Sequence, residues 1–221
     1  MTTGTRRWVG RAQPTWIRRV AWSPDGTRLA SGGDDGSVFL WEASDGTVRA
    51  TLQGHRGMVI SVAWSPDGTR LASSGGDRGN GELVVWEVGS GERLYTWGEP
   101  SAMINALAWG PNGSVLVSGG SDGRLRWWDL KHGECVRMRK AHQGAVRSLK
   151  LSPDGTRLAS CGDDGAILLW DLHSGEHLQT LRRDRPYERL DISGVQGLTE
   201  AQKASLRALG AVEKREEILK E

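Results

Sequence analysis

The chain has 221 residues but only two cysteines, one phenylalanine and two tyrosines. Cys135 and Cys161 show no metal-ligand spacing, so they read as free thiols of a reducing compartment and not as a disulfide framework. No apolar run approaches the roughly 18 residues of a membrane-spanning helix. The opening stretch 1–7 lacks the apolar segment of a secretory signal, and a cytoplasmic location is expected. Charge of one sign is also missing: 29 basic and 27 acidic residues leave a net charge of +2. That balance gives no electrostatic case for nucleic acid or a membrane surface as partner. Arginine pairs such as Arg6-Arg7, Arg18-Arg19 and Arg182-Arg183 read as solvated edges. There is no Gly-Lys-Ser/Thr phosphate loop and no His-Glu-x-x-His zinc pair. The glycine-rich 75–81 segment lies between strands, where no helix N-terminus is available to bind phosphate. No catalytic residue, metal or cofactor is expected.

What the chain has is glycine, tryptophan and repetition: 31 Gly and 11 Trp. The run Ser23-Pro24-Asp25-Gly26-Thr27-Arg28-Leu29-Ala30-Ser31 returns at 65–73 and 152–160, with a diverged copy at 110–118. The turn prolines Pro24, Pro66, Pro111 and Pro153 are 42, 45 and 42 residues apart. A second marker recurs in phase: Trp41-Glu42, Trp86-Glu87, Trp128-Asp129 and Trp170-Asp171. A three-residue insertion around 77–81 accounts for the longer step and is expected to lengthen a turn. Each unit reads as four short strands divided by turns, because the apolar segments are too short for helices and are bounded by Gly, Pro, Asp and Ser. Four strands in about 40–45 residues is the period of a propeller blade.

The four Trp-Asp/Glu endings, Gly54-His55 and Ala141-His142 upstream, and the Ser-Pro-Asp-Gly turns together resemble the WD-repeat β-propeller family over roughly residues 5–181. The resemblance implies an all-β propeller with four blades per chain over 1–181. It would be either a half-ring completed by a second chain or a closed four-blade ring. It also implies a buried hydrogen-bond network in each blade, carried by Asp77, His55, Ser73 and Trp86 in the second unit and by Asp164, His142, Ser160 and Trp170 in the fourth. A buried indole N–H and imidazole need such partners. The same residue types could make a nucleophilic triad, but recurrence at blade period favours a structural role. The first unit keeps Asp35, Ser31 and Trp41 with Gln13 at the histidine position. The third keeps Asp122, Ser118 and Trp128 with Pro100 there. Both blades are expected to be softer.

Trp22, Trp64 and Trp109 precede the turns in phase and read as packing residues, with Leu151 in the fourth place. Trp8, Trp16, Trp97 and Trp127 are not fixed by the repeat, so a ligand role would fall to these. Candidate partner-binding positions precede or open each unit's first strand: Trp16, Met58 and Met103 (with Ala145), then Arg18, Ile60, Asn105 and Arg147. Asp34, Ser121 and Asp163 precede the turn aspartates, with Gly76 in the second unit. Residues that vary at fixed places in a uniform frame are where specificity can sit. The expected function is a non-enzymatic protein-interaction scaffold or sensor; a propeller-based enzyme or a subunit of an NTPase signalling complex is the alternative. The expected partners are proteins, including a second copy or a partner that completes the ring.

Residues 182–221 leave the repeat. Thr199 and Gln202 make a capping box ahead of a short helix stopped by Gly210, and a second helix is expected over 212–220. Segments 185–188, 191–192, 197–202 and 209–211 resemble the closing tail of some bacterial multi-WD-repeat proteins. That likeness implies a bacterial origin and a link to a signalling NTPase on another chain.

Overall fold

The computed structural model describes residues 14–99, 101–182, 190–193 and 195–213. The chain divides into two compact units, Met1–Leu181 and Arg182–Glu221.

The first unit holds four antiparallel sheets, each built from four consecutive strands in chain order. Blade 1 comprises β1 Ile17–Trp22, β2 Arg28–Gly33, β3 Ser37–Glu42 and β4 Val48–Gln53. Blade 2 comprises β5 Met58–Trp64, β6 Arg70–Asp77, β7 Asn80–Glu87 and β8 Arg93–Glu99. Blade 3 comprises β9 Ile104–Trp109, β10 Val115–Gly120, β11 Arg124–Asp129 and β12 Glu134–Lys140. Blade 4 comprises β13 Val146–Leu151, β14 Arg157–Gly162, β15 Ile167–Asp171 and β16 His177–Leu181. The recurring turn explains itself chemically. Ser23 Oγ accepts from the Arg28 amide and donates to Asp25, whose other contacts hold the Thr27 amide and hydroxyl. Ser65 and Ser152 repeat this arrangement, and Asn112 holds Ser114 in the diverged copy. Gly26, Gly68, Gly113 and Gly155 take the positive φ that closes these turns.

The apolar core lies between blades, as in other repeat architectures. One cluster joins Val38, Leu40 and Leu52 to Val59, Trp64 and Trp86 of the next blade. A second joins Leu83 and Val85 to Ile104, Trp109 and Trp128, and a third joins Leu125 and Trp127 to Val146, Leu149 and Leu168. The inner strands pack in succession, β1 on β5, β5 on β9 and β9 on β13. No comparable packing and no fourth cluster joins blade 4 back to blade 1 among the described residues. Of the two arrangements the repeat leaves open, the blades form the open arc.

The insertion in blade 2 corrects one expectation. It lengthens two strands, not a turn: β6 and β7 stay paired out to Asp77 and Asn80. The hairpin closes on Arg78 and Gly79, with φ of 49° and 87°. Two central residues at positive φ make the turn whose twist matches that of the flanking strands.

In the second unit, α1 Glu200–Ala208 is capped by Thr199, which accepts from the Gln202 amide while Gln202 Oε1 accepts from the Thr199 amide. Gly210 follows at φ 107°. Val212 opens no helix: it bridges Asp191, exchanging backbone bonds with Leu190 and Ile192. The rest of the expected second helix (214–220) lies outside the described residues, as do 185–188, Trp8, Gln13, Pro100 and the arginines at 6, 7 and 183.

Candidate protein-docking rim

Each blade is held by a tryptophan from its third strand donating to a serine on its second. Trp41 Nε1 reaches Ser31 Oγ at 2.8 Å, Trp86 reaches Ser73 at 2.7 Å, Trp128 reaches Ser118 at 2.9 Å and Trp170 reaches Ser160 at 2.9 Å. In blade 4 the chain continues: His142 Nε2 lies 2.9 Å from Ser160 Oγ and Nδ1 2.9 Å from Asp164 Oδ1. A carboxylate only accepts, so Nδ1 carries the ring proton. The indole occupies one serine lone pair, so the serine oxygen bridges Trp170 and His142. Burial pushes Asp164 up, but bonds from His142 and from the Ala166 and Gln143 amides outweigh it and hold its carboxyl below the usual range.

Blade 2 departs from the expected set. His55 Nε2 lies 2.6 Å from Ser73 Oγ, but the carboxylate at Nδ1 is Glu82, 2.9 Å away and off the line of a ring N–H. Glu82 also accepts from the Arg56 amide, as Asp164 does from Gln143. Asp77 is not in this network. The extended hairpin carries it to the tip, where its ion-pair neighbour is Arg78 at 3.8 Å. Glu82, paired across the ladder with Gly75, stands two ladder pairs below the tip and has the reach.

Blades 1 and 3, which lack the histidine, also differ from blades 2 and 4 at the residue two before the blade tryptophan. Blade 1 has Phe39 there, buried with its ring 5.8 Å from Trp41. Blade 3 has Arg126, buried and bound to Asp122 at 2.8 Å and to Glu99 of blade 2 at 2.9 Å. Blade 3 thus keeps the expected Trp128–Ser118 bond, and its Asp122 joins an ion triad that spans two blades.

On this frame the partner-binding candidates fall at one end of every blade. The ladder between first and second strands skips one residue each time: Arg18 between Ile17 and Arg19, Ile60 between Val59 and Ser61, Asn105 between Ile104 and Ala106, and Arg147 between Val146 and Ser148. These four are β-bulge residues, and a bulge re-aims its side chain out of the pleat. Arg18 forks onto Asp34, with Nη2 to Oδ2 at 2.9 Å, and Arg147 onto Asp163 in the same way. Hydrogen bonds from those guanidinium groups hold both carboxyls below the usual range. Asn105 Nδ2 donates to Val146 O at 3.1 Å, linking blades 3 and 4, and Ser121 Oγ accepts from the Met103 amide at 2.9 Å. Ile60, Met58 and Met103 are half-buried. Trp16 is 75% exposed, with the Arg18 guanidinium 5.7 Å from its ring centre. The rim thus reads, blade by blade, ion pair, apolar, amide with hydroxyl, ion pair.

Trp97 and Trp127 belong to packing and not to this rim. Trp97 stacks on Tyr95 and donates to Gly133 O, and buried Trp127 donates to Leu172 O. The latter bond floors a cleft of about 630 Å³ at the opposite end of blades 3 and 4, near Asp129, Arg137 and His173. Among the described residues no three His, Cys, Asp or Glu converge on a point that could hold a metal ion. Glu82, Arg126 and the bulges escaped sequence reasoning. The bulk of Phe39 and Arg126 beside Val84 and Leu168 at the same repeat position was the signal present.

The WD domain, G-beta repeat, matches four times, at residues 5–42, 46–87, 91–129 and 133–171. The chain belongs to the WD40-repeat family. Among curated proteins this WD40-repeat chain is similar to human WD repeat-containing protein 86, with 46% identity over 43 residues, 20% of this chain and 11% of that protein. It is also similar to nuclear distribution protein PAC1-1 of Uncinocarpus reesii (strain UAMH 1704), with 45% identity over 47 residues, 21% of this chain and 10% of that one. The matched stretch thus spans about a tenth of each relative. WD40 repeats generally mediate protein–protein interaction.

Proposed function

We propose that the chain is a non-enzymatic interaction module, a scaffold or sensor, whose docking face is the rim carrying Arg18, Ile60, Asn105 and Arg147 with Trp16, Met58 and Met103 beside them. The observation that carries this is the bulge: one frame presents three kinds of side chain at the same re-aimed position of four blades, an arginine in blades 1 and 4, an isoleucine in blade 2 and an asparagine in blade 3. Ion pairs this exposed contribute little to stability. Their forked geometry is better suited to reading a partner's carboxylates and amides, while Trp16 and the methionines offer adaptable apolar area. The open ends of the arc are completed by further blades, from a second copy or from a partner. The tail's likeness to bacterial signalling proteins and the two free thiols support a place in the bacterial cytoplasm. No described helix is long and apolar enough to cross a membrane.

The test compares proteins retained from native lysate by the intact chain with those retained by Trp16→Ser, Met58→Ser and Met103→Ser combined. A control substitutes Asp129 and Asp171 at the opposite end. Selective loss in the rim variant, with an unchanged melting midpoint, is expected. Equal retention by all three would reject the rim.

A further inference from the structure

The interfaces inside the arc repeat their contacts, and the first two share an indole bond that the third, with Leu151 at the pre-turn place, lacks. The pre-turn tryptophan of the later blade donates to an inner-strand carbonyl of the earlier one, Trp64 to Ala21 O at 3.1 Å and Trp109 to Ala63 O at 2.9 Å. Val59, Ile104 and Val146, at or below 1% exposure, start the inner strands and face Gly32, Ser74 and Gly119 of the blade before. Turn glycines lie against turn prolines: Gly68 on Pro24, Gly113 on Pro66 and Gly155 on Pro111. Arg70 stacks 5.4 Å from the Trp109 ring centre and donates to Gly113 O.

The two ends of the arc hold the unmatched halves of this same interface. On blade 1, Trp22 is 60% exposed where Trp64 and Trp109 are 8% and 7%. Val20 is 61% exposed where Val62 and Leu149 are 4%, and Ile17 is likewise half-exposed. A Cβ placed on Gly26 would meet nothing within 4 Å, unlike one on its three repeat equivalents. On blade 4, Ile167 and Leu181 are exposed where Val38 and Leu52 are buried. Cys161 occupies the place of Gly32, Ser74 and Gly119, Lys150 that of the accepting alanines, and Arg157 that of Arg70.

We propose that a second copy of this chain covers these faces, blade 1 of each stacking on blade 4 of the other in the register of the internal interfaces. Trp22 then donates to Lys150 O across the copies, under Arg157. Gly26 lies on Pro153, and Ile17 faces Cys161 as Ile104 faces Ser74. This rests on reading the chain as a propeller module but uses the ends of the arc and not its rim. A head-to-tail contact either closes or propagates into a filament. Propeller rings hold about 4–8 blades, so two copies of four close the ring and a third has no place.

The test uses the full chain with Cys135→Ser, so that Cys161 is the one native thiol, and adds Ile17→Cys. A Cβ on Gly32 or Gly119 would stand 2.9 Å from the facing valine Cβ, so the equivalent pair between copies is within disulfide reach after slight relaxation. Mild oxidation is expected to yield a covalent species of twice the 24.1 kDa chain mass and nothing larger. Trp22→Arg should abolish it and raise the dimer dissociation constant by about 30-fold or more, while Trp22→Phe keeps the dimer. Trp22 is exposed within one chain, so its substitution leaves each blade folded, which the far-ultraviolet spectrum checks. A folded chain that sediments as a monomer without cross-linking would overturn the proposal, and so would a ladder of higher species or blades recruited only from a different protein. A monomer that still captures rim partners would defeat this proposal alone. A dimer that captures none would defeat only the docking face.

Discussion

Arg126 on blade 3, one of the two blades with no histidine to bond the serine, meets Glu99 on blade 2 at 2.9 Å. Burial alone would make a guanidinium costly, but Asp122 and Glu99 together hold it charged. Removing one member of such a set strands the others. Arg126→Ala should therefore cost about 2–4 kcal/mol in denaturant unfolding, and Arg126→Met with Asp122→Asn and Glu99→Gln should recover much of it. An alanine variant as stable as the native chain would show that the triad is idle.

Glu82 and Asp77 separate by the same experiment. His142→Ala and His55→Ala should each lower stability by about 1–3 kcal/mol, since each leaves a buried serine and a carboxylate short of a partner. Glu82→Ala should follow His55→Ala, whereas Asp77→Ala at the exposed hairpin tip should stay within about 0.5 kcal/mol of native. The reverse ranking would restore Asp77 to the network.

Asp25 and Asp154 titrate at about 2, drawn down by the hydroxyls of Ser23 and Ser152 and then by Thr27 and Thr156. An unfolded aspartate titrates near 4. A depressed folded value means that the contribution is complete above the unfolded value and fades as pH falls toward the folded one. The urea midpoint should thus drop between about pH 4 and pH 2. The Asp25→Asn, Asp154→Asn variant should show a shallower drop across that window. Identical slopes would mean that the turn carboxylates play no part in acid unfolding.

Gly119 probes the spacing between blades. A methyl group there would come within 2.5 Å of Val146 Cγ1, and the packed core has little room to move. Gly119→Ala should cost about 1–3 kcal/mol by overpacking, and Val146→Ala in the same chain should return part of the loss. A neutral Gly119→Ala, read by thermal or urea unfolding, would show that the blades adjust their separation freely.

The blades were legible because a proline-aspartate-glycine turn and a buried indole constrain residue type strongly, and a constraint repeated in phase shows itself. The pairing of Trp86 with Ser73 was implied by the family resemblance and holds in the fold. Glu82 could not be placed in this way, because its role depends on where a hairpin closes, and the tight turn at Arg78 and Gly79 leaves Asp77 at the tip with Glu82 two ladder pairs below it. Arg126 was hidden for a different reason: its partner Glu99 belongs to the neighbouring blade, and no period within one unit reports a contact between two. The rim positions Arg18, Ile60, Asn105 and Arg147 were found from their variation, but the bulge that turns them outward is a matter of ladder register.

The central claim, that this chain is half of a blade ring offering a rim to protein partners, is tested most directly by electron microscopy of the native chain in solution. A closed ring of eight blades with twofold symmetry, four per chain, is the predicted image. Isolated particles with four blades, at concentrations where the chain is folded, would contradict it.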